Sequence, residues 1–481
     1  MTNGAAAAHS ASESAIAVVS ASVQSAGHEV SIGVTLFFAG LLVALILCLA
    51  FEEKLNAKKS VIVGSFAVAL LLLSASLGLL PFSAMDLHVG DTDIHLPIYI
   101  PAIDWGVIFI ILGSSLFVDV TAKSGLFTWI ALRLTKASKG DPFILLIAYG
   151  SMTVVFSAVL NNVTAMIIVG SLTGVSLRRL GITDKLLGFL LIEALLTNVG
   201  GLLTLISSVP NIIVGNAAGI SFATFFVKAA PYVTVATAIT IWMGAKIFGI
   251  RRLAGAEEQL EAARLVAGFD ENDGIDSPLR FWVSGVSLVV FIAVIASASI
   301  PDTILNDLGM GYVAISFAIF ALLQHRATAD RFYREIDWDL LAFFAALFIV
   351  INVMEHARVL HELGRLLAPI LNMGETTGPA VLLVASAAAS SVTDNIPLAA
   401  MLAKILGGLD LSADSPYWWA VIFGANLGGN ITPIGSASTL VAVTIIHKSE
   451  IKLSFADFVR RAVPFAAVQL AIAVGYLWIA L

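Results

Sequence analysis

The sequence predicts an all-α polytopic membrane protein with two inverted repeats, each with five spans and one re-entrant hairpin, with a broken helix at the midplane. Three observations predict this fold. The 481 residues are 59% hydrophobic and only 12% charged, whereas a soluble domain carries about 25% charged residues. Apolar runs of the length that crosses a bilayer, about 20 residues, recur throughout the chain. Polar motifs also recur at nearly constant spacing in the two halves.

The chain divides into four predicted segments. Residues 1–31 form a polar extracytoplasmic tail, because they contain no Lys or Arg and lack the basic start and apolar core of a secretory signal. The first transmembrane repeat covers 32–249 and the second, inverted repeat covers 281–481. Between them, 250–280 is a polar cytoplasmic linker with a short helix. Both termini are predicted to lie outside the cytoplasm.

Ten apolar runs are assigned as membrane spans because of their length and composition. They lie near 32–51, 60–80, 103–122, 186–218, 229–249, 281–300, 310–325, 338–355, 416–446 and 462–481. Two further apolar stretches, 142–176 and 376–408, are each interrupted by a polar motif. We expect each of them to form two half-helices that meet at a tip.

The distribution of Lys and Arg supports the hairpins. With the tail outside and both interrupted stretches re-entrant, four of the 26 Lys and Arg residues lie outside, and the other 22 lie inside. The four are Lys228, Arg358, Arg365 and Lys404. Cytoplasmic loops of membrane proteins carry such an excess of basic residues. A full crossing by the first hairpin would exchange the sides of all later segments and remove most of this bias.

An internal repeat relates the two halves. IDWGVIFIILGSSLFV, which begins at Ile103, matches IDWDLLAFFAALFIVI, which begins 233 residues later. The pair Asn161 and Asn162 matches Asp394 and Asn395 at the same offset, and NVGG at Asn198 matches NLGG at Asn426 with an offset of 228. Since five spans is an odd number, the second half must enter the membrane upside down. Secondary transporters commonly build a central site from such inverted repeats.

Two long spans are predicted to be broken near the midplane. TNVGGLLTLISSVPNIIVG and ANLGGNITPIGSASTLVAV each contain paired glycines, a proline and several hydroxyls, and glycine and proline interrupt helices. Broken backbone at membrane depth is tolerated only where it is buried in protein or lines a polar cavity. The free N–H groups of half-helix N-termini attract anions. The sequence therefore predicts a central polar site.

The predicted substrate-binding side chains are neutral amides and hydroxyls from both halves. They are Asn161, Asn162, Thr164, Asn198, Thr204, Ser208, Thr393, Asn395, Asn426, Asn430, Thr432, Ser436 and Ser438. Asp394 and Glu193 are the predicted proton or cation coupling residues, because charged groups within spans mark functional sites. The repeat mate of Asp394 is the neutral Asn161, which gives the site one formal charge. Glu193 carries a proton or pairs with a basic partner such as Lys404.

Enzymatic chemistry is not expected. The sequence contains no P-loop, no HExxH motif and no His/Cys cluster, and its single cysteine, Cys48, excludes an intramolecular disulfide and a multi-cysteine metal site. We expect no cofactor, no metal site and no nucleic-acid partner. A proton or sodium gradient would drive transport of a small inorganic ion or small anion across the bilayer.

Five motifs together resemble the ion transporter superfamily. They are SAVLNNVTAMIIVGSLT, EALLTNVGGLLTLISSVPNIIVG, IDWDLLAFFAALFIV, SSVTDNIPLAAM and FGANLGGNITPIGSASTLV. The similarity is greatest to the branch of arsenite efflux pumps, D-type sodium/proton antiporters and the melanosomal P-protein, with a citrate/dicarboxylate transporter-like domain. This resemblance implies two repeats with re-entrant hairpins, an elevator-like or rocking motion, a homodimer and a bacterial inner (plasma) membrane location.

Within that branch the motifs favour different members. NITPIGSASTL is similar to the arsenite pumps, whereas EALLTNVGG and DNIP are similar to the P-protein branch, which has Asp at the position of Asn161. The leading hypothesis is proton-coupled efflux of arsenite or antimonite, because uncharged As(OH)3 can hydrogen-bond to amides and hydroxyls while Asp394 exchanges a proton. The alternatives are sodium/proton antiport and cation-coupled transport of a dicarboxylate or inorganic anion.

Overall fold

A computed structural model describes residues 30–80, 85–89, 92–272, 274–298, 300, 303–409 and 411–480. Most of the predicted tail, residues 1–29, lies outside the described residues. Nine helices in the described part of the chain are long and apolar enough to cross a membrane. The predicted all-α polytopic class is thereby confirmed. One small addition is an antiparallel pair of strands, β1 (Met85–Val89) and β2 (Thr92–Leu96), between the predicted spans 60–80 and 103–122.

In the described residues, the first half and the linker form eleven α-helices, and the linker helix lies inside the predicted linker. They are α1 (Ile32–Ala50), α2 (Glu52–Leu55), α3 (Lys59–Ser76), α4 (Trp105–Ala122), α5 (Leu126–Ala137), α6 (Pro142–Val159), α7 (Asn162–Arg179), α8 (Leu186–Gly200), α9 (Val209–Ala217), α10 (Phe222–Ile247) and the linker helix α11 (Ala256–Ala267). Among the described residues, a 3-10 turn at Thr183–Lys185 precedes α8.

The second half repeats the order of α4 to α10. Its helices are α12 (Pro278–Ser297), α13 (Ile304–Gln324), α14 (Ala329–Glu335), α15 (Trp338–His356), α16 (Val359–Leu371), α17 (Gly374–Ser390), α18 (Asn395–Gly407), α19 (Pro416–Gly428), α20 (Ala437–Lys448) and α21 (Phe455–Ala480). A 3-10 turn at Arg326–Thr328 precedes α14. Asp104 and Asp337, which are repeat mates, cap the matched helices α4 and α15 by accepting hydrogen bonds from backbone N–H groups.

The helix breaks lie where the polar motifs predict them. Hairpin 1 consists of α6 and α7, and hairpin 2 consists of α17 and α18. Broken span 1 consists of α8 and α9, and broken span 2 consists of α19 and α20. By length and composition, α6 is long and apolar enough to cross a membrane without its partner arm α7. The re-entrant and inverted orientation of these elements therefore stays a prediction.

The helices pack into two groups with matched contacts. In the scaffold group, α3 packs on α15 and α4 packs on α13. In the central group, each hairpin packs its first arm on the broken span of its own half, α6 on α8 and α17 on α19. Each second arm packs on the broken span of the other half, α18 on α9 and α7 on α20. When each helix is replaced by its repeat mate in the other half, every one of these contacts corresponds to another observed contact, as two related repeats require.

The linker is docked against the first half. Val266 and Phe269 form a small apolar cluster with Leu132 of α5. Lys136 donates a hydrogen bond to Glu271, and this hydrogen bond holds the pKa of Glu271 below its ordinary value. The linker therefore has a fixed position beside α5 and is more than a flexible tether.

Candidate functional site

Asn198, at the end of α8, is the centre of a polar network between the two halves. Its Oδ1 accepts hydrogen bonds from three groups: Asn162 Nδ2 at 3.3 Å, Ser436 Oγ at 3.0 Å and Ser438 Oγ at 3.2 Å. Its Nδ2 donates to Asn430 Oδ1 at 2.8 Å. The network thus joins hairpin 1, broken span 1 and broken span 2 through five side chains that the sequence predicted as substrate ligands.

Asn430 extends this network to the last helix of each half. Its Nδ2 donates to the Leu195 carbonyl at 3.1 Å and to Gln469 Oε1 at 2.8 Å. Gln469 Nε2 in turn donates to Thr240 Oγ1 at 2.9 Å. Sequence analysis missed Gln469 and Thr240. The available signal was a single amide in the uncharged part of α21, residues 462–480, since a buried amide in a span needs partners.

A second cluster lies at the breaks of the two broken spans. Ser208 Oγ donates to Asn426 Oδ1 at 2.7 Å, and Asn426 Nδ2 donates to Asn211 Oδ1 at 2.9 Å. Asn211 Nδ2 also donates to the carbonyls of Gly201 and Thr204, at 2.7 and 3.0 Å, which holds the break in shape. Sequence analysis did not include Asn211. Its position three residues after Ser208 in the broken stretch was the signal for it.

Four hydrogen bonds to backbone carbonyls, two in each half, fasten the hairpins to their broken spans. In two of them a hairpin serine donates to the broken span, and in the other two a broken-span threonine donates to the hairpin. The pairs are Ser157 with Thr197 and Ser390 with Ala425, both at 2.6 Å, then Thr204 with Ala158 at 2.5 Å and Thr432 with Ser391 at 2.6 Å. The donors are repeat mates, so the two halves use the same clasp. Thr204 and Thr432 thus position the hairpins in this structure.

The remaining predicted ligands lie at the hairpin tips, outside the Asn198 network. Asn161 caps α7 by accepting a hydrogen bond from the Thr164 backbone N at 2.8 Å. Asp394 caps α18 in the same way, and its Oδ2 lies 2.5 Å from Lys59 Nζ. The Thr393 hydroxyl donates to the Ala389 carbonyl in the last turn of α17.

The two tips differ at Asn162 and its mate Asn395. Asn162 accepts a hydrogen bond from Ser157 Oγ at 2.6 Å and donates to Asn198. Among the described residues, the Asn395 amide has no hydrogen-bond partner, and the residue is half-buried. Asn395 is therefore a polar group on hairpin 2 whose hydrogen-bonding capacity is available to a bound solute.

Glu193 is fully buried in α8, where its carboxylate contacts hairpin 1. Its Oε1 accepts a hydrogen bond from Thr173 Oγ1 at 2.6 Å, and its Oε2 has no hydrogen-bond partner among the described residues. The predicted alternative that Glu193 pairs with Lys404 is wrong, because Lys404 Nζ lies 3.0 Å from Glu355 Oε2. Lys404 is on α18, which faces α15 of the scaffold group, whereas Glu193 faces hairpin 1.

Both broken spans present helix N-termini without side-chain caps. Ser208 and Ser436 are the N-cap residues of α9 and α20, and neither makes a capping hydrogen bond. Their hydroxyls donate to Asn426 and Asn198 instead. The first N–H groups of the two half-helices therefore keep their positive partial charge, which favours a ligand oxygen. No group of three or more His, Cys, Asp or Glu that could hold a metal occurs in the described ranges.

The family model described as CitMHS, citrate transporter, matches residues 46–424, which is most of the chain. The chain belongs to this family. It is a multi-pass membrane transporter, and its membership confirms the expected relation to the ion transporter superfamily.

Similar proteins agree with this assignment. The uncharacterized transporter Rv2684 of Mycobacterium tuberculosis is 32% identical over 390 residues, which cover 78% of this chain and 86% of the relative. The P protein of Homo sapiens is 26% identical over 489 residues, which cover 85% of this chain and 57% of that protein. These relatives include the P protein, to whose branch the motifs showed a resemblance.

Two solved structures share the fold. The YdaH transporter of Alcanivorax borkumensis has a TM-score of 0.58 at 13% identity. The match covers 88% of this chain and 98% of YdaH. MtrF of Neisseria gonorrhoeae, from a class of antimetabolite efflux pumps, has a TM-score of 0.54 at 15% identity. The match covers 88% of this chain and 95% of MtrF. At these identities the likeness concerns the fold alone.

Proposed function

We propose that this protein is a proton-coupled secondary transporter that exports a small, uncharged, polyhydroxylated solute of the arsenite or antimonite type. The observation that carries the proposal is the Asn198 network, in which amides and hydroxyls of both halves meet without any charged side chain. Such groups both donate and accept, as the hydroxyls of As(OH)3 do. A solute bound there would replace hydrogen bonds that now link the halves, so its entry and release would be coupled to their relative movement.

Two acids supply the proposed coupling to protons. Asp394 lies at the tip of hairpin 2, and Glu193 lies one helix turn before Thr197 in broken span 1. One oxygen of Glu193 is buried without a hydrogen-bond partner in the part of the chain that the structure describes, and an ionised carboxylate in that position lacks compensation. We therefore assign Glu193 a proton in this conformation, and Asp394 the proton that is exchanged during transport.

The test is flux in vesicles that contain the purified protein, under an imposed pH gradient. Arsenite, sodium and citrate are supplied in separate experiments. We expect proton movement and arsenite movement in opposite directions, and we expect both to be lost in Asp394→Asn while the variant purifies like the wild type. Asp276→Asn, at an exposed linker position, is the control and should keep full activity. Wild-type coupled flux in Asp394→Asn would overturn the proposal.

The substrate contacts have their own test. Asn162→Ala and Asn395→Ala each remove an amide from a hairpin tip, and we expect each to weaken the apparent affinity for arsenite by about tenfold or more, since one hydrogen bond contributes roughly 1 kcal/mol and an unsatisfied partner costs more. An unchanged apparent affinity in both variants would place the substrate elsewhere.

Citrate or a related carboxylate is the second candidate substrate. The uncapped N-termini of α9 and α20 favour it, because free N–H groups at helix N-termini bind carboxylates. The family description also names citrate. Cation-dependent citrate uptake without an arsenite response would select this candidate. Sodium-dependent proton flux without either solute would instead select sodium/proton antiport.

A further inference from the structure

An ion pair joins hairpin 2 to the scaffold group. Lys59 Nζ lies 2.5 Å from Asp394 Oδ2, although the two residues are 335 positions apart in the chain. Lys59 is the first residue of α3, and Asp394 caps α18. The side chain of Asp394 is only 13% exposed and that of Lys59 is 37% exposed. Because a pair that is partly withdrawn from water is screened less than a surface pair, it holds the hairpin tip on α3 in this conformation.

Both carboxylate oxygens of Asp394 are engaged. Oδ1 accepts a hydrogen bond from the Ile396 backbone N at 3.0 Å, and Oδ2 contacts the Lys59 ammonium. A proton or sodium ion that binds this carboxylate replaces the positive charge of the Lys59 ammonium with its own. It therefore competes with Lys59 for the same oxygen.

The Lys59 ammonium faces other carboxylates when it leaves Asp394. Glu52 Oε1 lies 3.9 Å from Lys59 Nζ. Asp339 of α15 lies at the same end of α3, where it accepts hydrogen bonds from the Ser60 hydroxyl at 2.5 Å and the Ser60 backbone N at 3.3 Å. Glu52, Asp339 and Asp394 are the charged groups that act on Lys59. Displacement from Asp394 therefore does not leave an isolated cation, which would be costly.

A second ion pair holds the other end of the same helix. Lys404, in the last turn of α18, lies 3.0 Å from Glu355 of α15. Since α3 and α15 pack on each other, the two pairs fasten both ends of this 13-residue helix to one part of the scaffold group. The side chains of Lys404 and Glu355 are about half exposed, so this second pair is the weaker restraint.

We propose that Lys59 is a built-in competitor for the coupling cation at Asp394. While Asp394 is empty, the ammonium neutralises it and keeps hairpin 2 on α3; when a proton or sodium ion binds, the ion pair opens and hairpin 2 is free to move. This inference rests on the proposed coupling role of Asp394. It adds Lys59 as the residue that sets the affinity for the cation and links its binding to movement.

The test measures cation binding without transport. The thermal midpoint of the purified full-length protein in detergent is followed against pH without sodium, and against sodium at fixed pH, because a ligand of the folded state raises this midpoint. Lys59→Gln and Lys59→Met remove the competitor. We expect the pH at which half of the change in thermal midpoint is reached to rise by about one unit in these variants. Alternatively, the sodium concentration that gives half of the stabilisation should fall about tenfold. Both follow from removal of a nearby opposite charge.

Three control variants make the result specific. Lys59→Arg keeps the charge and should stay within about threefold of the wild type, well below the tenfold expected from charge removal. Lys58→Gln removes the exposed lysine immediately before Lys59 and should behave like the wild type. Lys404→Gln should lower the midpoint without changing cation affinity, because it loosens α18 at a site remote from Asp394.

The outcomes separate this inference from the proposed function. If Asp394→Asn loses cation-dependent stabilisation and coupled flux, while Lys59→Gln and Lys59→Met titrate like the wild type, the competition by Lys59 is overturned and the coupling role of Asp394 stands. If Asp394→Asn keeps both properties, the coupling role itself is wrong. A pH response without a sodium response identifies the proton as the competing cation, and the reverse identifies sodium.

Discussion

At the scale of single residues, Asn198 carries more of the site than any other predicted ligand. It binds four side chains, one from hairpin 1 and three from broken span 2, and its amide is almost fully buried. We expect Asn198→Ala to lower the free energy of unfolding by about 2–4 kcal/mol, because it leaves several buried polar groups without partners at roughly 1–3 kcal/mol each. The thermal midpoint in detergent measures this loss.

The control for Asn198 is Asn372→Ala. Asn372 is an exposed residue after α16, and surface replacements of this kind usually change stability by less than about 0.5 kcal/mol. Equal midpoints for Asn198→Ala and Asn372→Ala would contradict the central role of Asn198. A lowered midpoint that is partly restored by substrate would also support binding at the network.

Glu193 gives a second prediction at the residue scale. Glu193→Gln keeps the volume and the hydrogen bond that Thr173 donates to the side-chain oxygen, and it removes the ability to exchange a proton. We expect normal folding and solute binding but loss of proton-coupled flux, measured in the vesicle assay. Thr173→Val is the matched variant, which should lower stability and retain coupling. Full coupling in Glu193→Gln would leave Asp394 as the only acid in the proposed mechanism.

At the scale of elements, matched glycines permit each hairpin to lie directly on its broken span. A Cβ atom on Gly200 would lie 2.7 Å from the Val154 backbone, and one on Gly428 would lie 2.7 Å from Ser390 Cβ and too close to the Ala387 carbonyl. We expect Gly200→Ala and Gly428→Ala to cost about 1–3 kcal/mol each, as other overpacked sites do. The thermal midpoints of the two variants should fall by similar amounts, since the contacts are repeat mates.

Gly64→Ala is the control for these close contacts. Gly64 lies inside α3, and a Cβ there would meet nothing within 4 Å. Because alanine is the better helix former by roughly 0.5–1 kcal/mol, this variant should be neutral or slightly more stable. A drop in midpoint for Gly64→Ala equal to that for Gly200→Ala would show that any glycine replacement is harmful and that the packing explanation is incorrect.

At the scale of the whole molecule, the inverted orientation is the main prediction to test. In a Cys48→Ser background, a cysteine is placed at Gln259 in the linker or at Ala413 between hairpin 2 and broken span 2, both exposed. A membrane-impermeant thiol reagent should label the Gln259 position from the cytoplasmic side and the Ala413 position from the other side. Labelling of both positions from one side would contradict the inverted repeats.

The sequence by itself determined the class of protein, the positions of the helix breaks and most of the side chains of the central polar network. Apolar run length and composition decide that a helix suits a bilayer, and paired glycines, prolines and amides mark where a span is interrupted. The matched spacing of the two halves also agrees with their contacts, since the hydrogen bonds that Ser157 and Ser390 donate to the broken spans have the same length. These are local properties of the chain, so they can be read without a structure.

Only the tertiary structure decided which polar groups meet. It placed Asn162 in the Asn198 network and left Asn395 outside it, brought Gln469 and Thr240 to Asn430, and paired Lys404 with Glu355 instead of Glu193. It also brought Lys59 to Asp394 across 335 residues. The physical reason is that a buried polar group takes whichever partner packing places within about 3 Å. That choice depends on the crossing of helices that are distant in the chain, and periodicity and spacing carry no information about it.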